Sequence, residues 1–172
     1  NAIHYENMSI ALAESVANQG QGFINSMAFG NGGTSVDPTG IITYLTPNST
    51  GTNASLYNQT FTKIVDDRSV SNLDPQRNKI ETRHVNGTNY TDVVVTCLLD
   101  YGEPNGQDAT DTASASDSLY VFDELGLVSY ASSGTGKLLT HVVFHPVQKS
   151  LNRLIQIDYT VRVQSLTGFN EG

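Results

Sequence analysis

Few residues in this chain have the types and spacing for chemistry, and the setting of each decides how it reads. His141 and His145 stand four apart, the separation that puts two zinc ligands on one face of a helix. Their stretch, Thr140 to Pro146, reads as a strand, where four residues at ~3.3 Å each span about 13 Å. One ion does not bridge that, and His4 and His84 have no spacing that brings a third ring to the pair. The acid pairs Asp66-Asp67 and Asp123-Glu124 have the residue type for proton transfer. No nucleophile stands beside either, so both read as turn residues. Asp108, Asp111 and Asp117 carry the oxygen ligands calcium prefers, without the spacing of a calcium loop, and read as solvated loop acids. Gly134-Thr135-Gly136-Lys137 imitates a phosphate loop, but Ala131 stands where its first glycine belongs and Leu138 where its Ser or Thr belongs. Gly30 to Gly33 offers amides for an anion nest, followed by a Pro-containing loop and not by a helix N-terminus. Cys97, inside the apolar run Val93 to Leu99, reads as a buried thiol. The expectation is a protein without catalytic, cofactor-binding or metal-ligating residues, and not an enzyme.

Composition narrows the partners. A net charge of -8 over 172 residues argues against nucleic acid and against an anionic membrane, both of which are held through Lys and Arg clusters. No apolar run approaches the ~18 residues of a membrane span, and the N-terminus shows no basic region followed by an apolar core. The single cysteine excludes an internal disulfide. Matches to Asn-x-Ser/Thr at Asn7, Asn48, Asn53, Asn58, Asn86 and Asn89 are what a chain this rich in Asn, Ser and Thr produces by chance. Charged residues are only 15%, fewer than exposed helices carry, which favours a β-rich domain with polar loops.

The elements that must position these residues follow from periodicity. From Leu151 to Gln164 the odd positions are mostly apolar and the even ones mostly polar, a period of two. With Leu138 to Phe144 before it, the stretch reads as a closing antiparallel hairpin, with Val147 to Ser150 as connector and Pro146 either ending the ladder or lying on an edge. Asn7 to Gln19 predicts one helix, capped by Ser9 and stopped by Gly20 and Gly22. Strands are expected at Phe23 to Phe29, Ile41 to Leu45, Leu56 to Val65 and Asn78 to Val85, the last turning at Asn86-Gly87 into Tyr90 to Asp100. The run VVVTCLL in that final strand implies burial on both faces. Gly30 to Gly40, with four glycines and Pro38, predicts irregular backbone, and Gly102 to Ser118 is a long polar loop. Leu119 to Phe122 and Leu127 to Tyr130 read as two short strands around a turn at Asp123 to Gly126. The fold expected is mainly β, an antiparallel sheet or sandwich with one N-terminal helix and long polar loops (α+β by strict count). It is one domain over 1–172, with the helix at 7–19 and a β-rich core at 23–164.

Two stretches carry a likeness. Met27-Ala28-Phe29-Gly30-Asn31-Gly32-Gly33 and Glu124-Leu125-Gly126-Leu127 resemble two marks of tailed-bacteriophage virion proteins, including the attachment domains of tail-collar fibres. These marks are a strand ending in a hydrophobic-Gly-Asx-Gly-Gly turn and a later "ELGL" turn. The resemblance implies a structural subunit located in the virion, in a tail, baseplate, neck or fibre-attachment adaptor. Its partners would be other virion proteins and other copies of itself, as a homo-oligomer or in many copies. A capsid-decorating protein and a carbohydrate-binding or receptor-contact module are the alternatives. Under this reading Phe29, Gly30, Asn31, Gly32, Gly33, Asp108 and Asp111 are the expected subunit contacts.

Overall fold

The alternating apolar pattern of the chain is spent on two facing antiparallel sheets, seen in a computed structural model that describes residues 1–104 and 119–166. Chain order gives β1 (Ala2–Ile3), α1 (Tyr5–Val16), β2 (Ile24–Gly30), β3 (Thr34–Val36), β4 (Ile42–Tyr44) and β5 (Gln59–Ile64). Then follow β6 (Lys79–His84), β7 (Tyr90–Leu99), β8 (Leu119–Ser129), β9 (Thr140–Ser150) and β10 (Ile155–Gln164). One sheet has the order β1-β9-β8-β2-β5, a second β10-β7-β6, and β3 pairs with β4 as a separate hairpin. Every strand pair among the described residues is antiparallel. Met27, Phe29, Tyr120, Phe122, Leu125 and Leu127 of the first sheet meet Val95, Cys97, Leu99 and Val161 of the second in one buried cluster. The chain is thus mainly β and sandwich-like, as its alternation implies.

Several local expectations are corrected. β9 and β10 are not a hairpin: β9 pairs with β8 and β1, while β10 crosses to the other sheet and pairs with β7 over ten residues. Both strands need an apolar partner face, and sharing one core from opposite sheets supplies it without mutual pairing. β9 runs on through Pro146, and Val147 to Ser150, expected as a connector, belong to it. Its ladder with β8 resumes on either side of that proline, at Val143 and Val147. Pro146 therefore lies in an irregularity, beyond the short stretch where β1 covers the other side, and its missing donor costs no ladder bond.

The helix runs Tyr5–Val16, two residues earlier at its start and three residues earlier at its end than expected, and Ala17 rather than Gln19 lies at its close. His4 is the N-cap, its Nδ1 accepting the Asn7 amide, and Ser9 lies inside the helix. Only a narrow face packs: Asn7 and Ala11 are buried and Met8 rests on the core. Gly30 to Gly40 is not wholly irregular either, since β3 and β4 form within and beyond it. Asp37 and Gly40 close a turn (Gly40 N–H to Asp37 O, 2.9 Å) with Gly40 at φ +88°, a short connection suited to a tight hairpin. The continuous run in β7 is buried on both faces as its sequence implies, with Val94 7% and Val95 0% exposed.

Candidate functional site

The acid pair Asp123-Glu124 lies within a strand, not in a turn. Along β8 the core-facing residues change from Tyr120 and Phe122 to Leu125 and Leu127, a switch from even to odd numbers. The pairing with β9 shifts register at the same place, between Phe122 and Glu124. Such an irregularity re-aims side chains, and here both carboxylates reach the same loop, the one between β2 and β3. The N–H of Gly33 donates to Asp123 Oδ1 at 2.8 Å, and Thr34 donates its N–H (2.9 Å) and its hydroxyl to Oδ2. Glu124 Oε2 accepts the N–H groups of Gly32 at 3.0 Å and Asn58 at 2.9 Å. Its Oε1 accepts the Tyr57 N–H at 2.9 Å and His141 Nε2 at 2.8 Å. The amides of the glycine loop do form an anion nest, and the anions that fill it are the chain's own. The two motif stretches are thus one structural unit.

Two buried histidines extend the unit. His141 Nδ1 accepts the Asn48 N–H at 2.7 Å, so its lone pair points there and the ring proton sits on Nε2, toward Glu124. His4 repeats the arrangement, with Nδ1 accepting from Asn7 and Nε2 on the Gly51 carbonyl oxygen at 2.8 Å. The Asn7 side-chain amide reaches the Leu138 carbonyl oxygen at 2.9 Å, and the same group lies 3.4 Å from that of Thr52. The polar loop between β4 and β5 is thereby tied to the sheet at several points, over a small apolar cluster of Ala28, Leu56 and Leu138.

Close approach is why the loop needs glycines. A Cβ on Gly30 would lie 2.6 Å from Glu124 Oε2, and one on Gly32 would lie 2.8 Å from the Tyr57 Cβ. Burial alone raises the Glu124 carboxyl, but the His141 ring and the amides of Asn58, Tyr57 and Gly32 outweigh it and hold the group below its ordinary 4.5. Chemically the arrangement fixes backbone. Glu124 and His141 are both 0% exposed, and both oxygens of Glu124 carry two donors each, which leaves no face open to a substrate.

The expected subunit contacts therefore divide. Phe29 lies in the core at 0% exposure, Gly30 and Gly33 are buried, and Asn31 and Gly32 are half-buried against the Asn58 segment. The backbone of these five is bound to β8 or to the loop before β5. Asp108 and Asp111, with Asp117, lie outside the described residues. What the glycine loop presents outward is the β3–β4 hairpin, on which Val36 and Ile41 are each 62% exposed and Tyr44 51%.

The remaining candidates are placed as follows. His145 is exposed while His141 is buried, and no group of three or more metal-ligating side chains occurs among the described residues. Asp66 and Asp67 accept from the Arg68 and Ile80 amides, and Asn7, one of the glycosylation matches, is buried. Cys97 is fully buried, and burial pushes its thiol up to about 12. It is expected to resist Ellman's reagent in the native protein and to react with one equivalent after unfolding in urea; rapid native labelling would contradict that burial. An apolar cleft of about 730 Å³ opens between α1 and the sheets, lined by Met8, Leu12, Phe23, Ile80 and Val161, with Phe23 and Tyr130 stacked 5.1 Å apart beside it.

The signal for the acid unit was in the sequence. In Leu119-Tyr120-Val121-Phe122-Asp123-Glu124-Leu125-Gly126-Leu127 the apolar phase inverts across two acids, the mark of a break in strand alternation and not of a turn. No protein-family model, curated protein or solved structure matches this chain.

Proposed function

We propose that this chain is a non-enzymatic structural subunit that works by protein–protein assembly, in the setting its two motifs imply, a tailed-phage particle. The observation that carries the reading is the β3–β4 hairpin. Its base is locked to β8 through Asp123, while its strands and tip hold Val36, Ile41 and Tyr44 in water. Exposed apolar groups on a pre-ordered projection favour docking, because their burial is favourable and little conformational freedom is left to lose. The buried acids and histidines support the same reading, since each is used to hold loops in place.

The test is quantitative mass spectrometry of density-banded particles from the cells that make the chain. The wild-type chain is expected in them at fixed stoichiometry, and its absence overturns the structural role. Val36→Lys combined with Ile41→Lys should leave folding stability within about 0.5 kcal/mol, as exposed substitutions do. Incorporation should fall at least tenfold. Unchanged incorporation would remove the hairpin as the docking element.

A further inference from the structure

We infer that two copies of this chain pair through their β10 strands, antiparallel about Thr160, joining two three-stranded sheets into one of six. The inference deepens the assembly reading by naming the partner of one surface as a second copy. On one side β10 pairs with β7 in ten consecutive positions without a register shift. On its other side no described strand pairs with it. Among the described residues that leaves an unpaired, regular edge about 33 Å long at ~3.3 Å per residue.

Natural edges are shielded by shortness, proline, lysine or bulges. β1 has two residues, β5 carries Lys63, and β6 carries Lys79, Glu81 and Arg83. Between Ile155 and Gln164 there is no proline and no lysine, and the only charges are Asp158 and Arg162.

The residues on this edge complement themselves. With the two-fold axis at Thr160, the outer face sets Gln156 opposite Gln164 of the second copy, Asp158 opposite Arg162, and Thr160 opposite Thr160. On the core face Ile157 meets Val163 and Tyr159 meets Val161. Just beyond the strand the same register brings Leu154, 40% exposed, against Leu166, 79% exposed. Symmetry makes each of these contacts twice, apart from the central one, and cross-strand pairs of these kinds favour pairing. Other axes do worse. One at Asp158 or at Arg162 opposes like charges, one at Tyr159 or Val161 leaves both charges without an opposite partner, and an axis between residues sets polar against apolar.

Arg162 is ordered on the outer face of its own sheet, across the ladder from Asp92 of β7. Asp92 holds its guanidinium at 2.8 and 3.2 Å and the Tyr90 ring lies 3.8 Å beneath it. Among the described residues, Asp158 has only the long contacts from the Gln156 amide, at 3.3 and 3.4 Å.

The experiment is sedimentation velocity of the full chain across concentration, with charge-reversed variants. The wild type is expected at twice the 18.5 kDa chain mass. Asp158→Arg sets arginine against arginine twice, and Arg162→Glu, made together with Asp92→Asn so that the new acid does not face Asp92 in its own chain, sets acid against acid twice; each should weaken dimerisation more than tenfold. Mixed, the two variants set the introduced arginine of one copy against the introduced glutamate of the other. The unaltered Arg162 and Asp158 then face each other at the second contact, and a heterodimer should be recovered. Thr160→Cys should cross-link to a covalent dimer under mild oxidation and Gln156→Cys should not, because only the axial residue faces its own copy. A wild type that stays monomeric, a dimer indifferent to Asp158→Arg, or a mixture that fails to recover would overturn the inference. The particle test uses residues remote in sequence. A monomer that still enters particles removes only the dimer, and a dimer absent from particles removes only the structural role.

Discussion

Glu124→Gln is expected to lower the unfolding free energy by about 4 kcal/mol at neutral pH, within the range found when one member of a buried charged network is removed. The carboxylate accepts four donors, two on each oxygen. Glutamine keeps one oxygen and turns an NH2 toward the other two donors, so two buried N–H groups lose their acceptors and meet a donor instead. Because a domain of this size is stable by only about 5–15 kcal/mol, the change should shift the urea midpoint well outside error. A loss below about 1 kcal/mol would mean that the Gly32, Tyr57 and Asn58 amides find other acceptors.

The same variant isolates a pH dependence. The folded carboxyl lies below its ordinary 4.5, so the unfolded chain takes up the proton first. Its contribution is fully present above that ordinary value and is lost as pH falls through the lower folded one. Glutamine does not titrate. The stability gap between wild type and Glu124→Gln should therefore narrow as pH is taken from about 6 to about 3. A gap independent of pH would show that the carboxylate charge is not what the four donors recognise.

How much of this was legible depends on whether the signal was local. The alternation of Ile155, Ile157, Tyr159 and Val161 gave β10 and its inward face, and the apolar run of β7 gave a doubly buried strand, because both depend on side-chain order alone. The partner of β10 was not legible. Proximity in sequence favours a hairpin with β9, and only the completed sandwich shows that the two strands serve opposite sheets. The acid pair was misplaced because two adjacent carboxyls are usually solvated. Their acceptors are filled by amides 66 to 92 residues away, a pairing no local pattern encodes. Ser9 looked like the better cap by residue type, yet His4 took the role because its ring also reaches Gly51. Most of the candidate site, glycine loop and acids alike, was visible as two separate motifs. Their junction was visible only in the fold.

Gly126→Ala carries the second large expected effect, a loss of about 3 kcal/mol from overpacking and a weakened strand crossing. Its φ is not in the left-handed region, so conformational freedom is not what the position needs. Space is. A Cβ there would run into the Thr140 carbonyl oxygen and come within 2.8 Å of Leu138 Cδ1. The Thr140 carbonyl belongs to the backbone where β9 enters the sheet. That entry is pinned by the Leu127 N–H on Thr140 Oγ1 at 3.0 Å and by the Leu139 N–H on Leu127 O at 2.8 Å. Gly40 is the contrast, with φ +88° and nothing near its missing Cβ. Gly40→Ala should cost about 1 kcal/mol through backbone strain, and Gly40→Asn less, since Asn tolerates that conformation. At Gly126 the order reverses, because Asn is larger than Ala and the limit is volume. Urea midpoints of the four variants decide it, and a Gly126→Ala no worse than Gly40→Ala would refute the steric account. Displacing Thr140 must also disturb His141, the next residue, and through it Glu124. The Gly126→Ala, Glu124→Gln double variant should accordingly lose less than the sum of the two single losses, as coupled neighbours do.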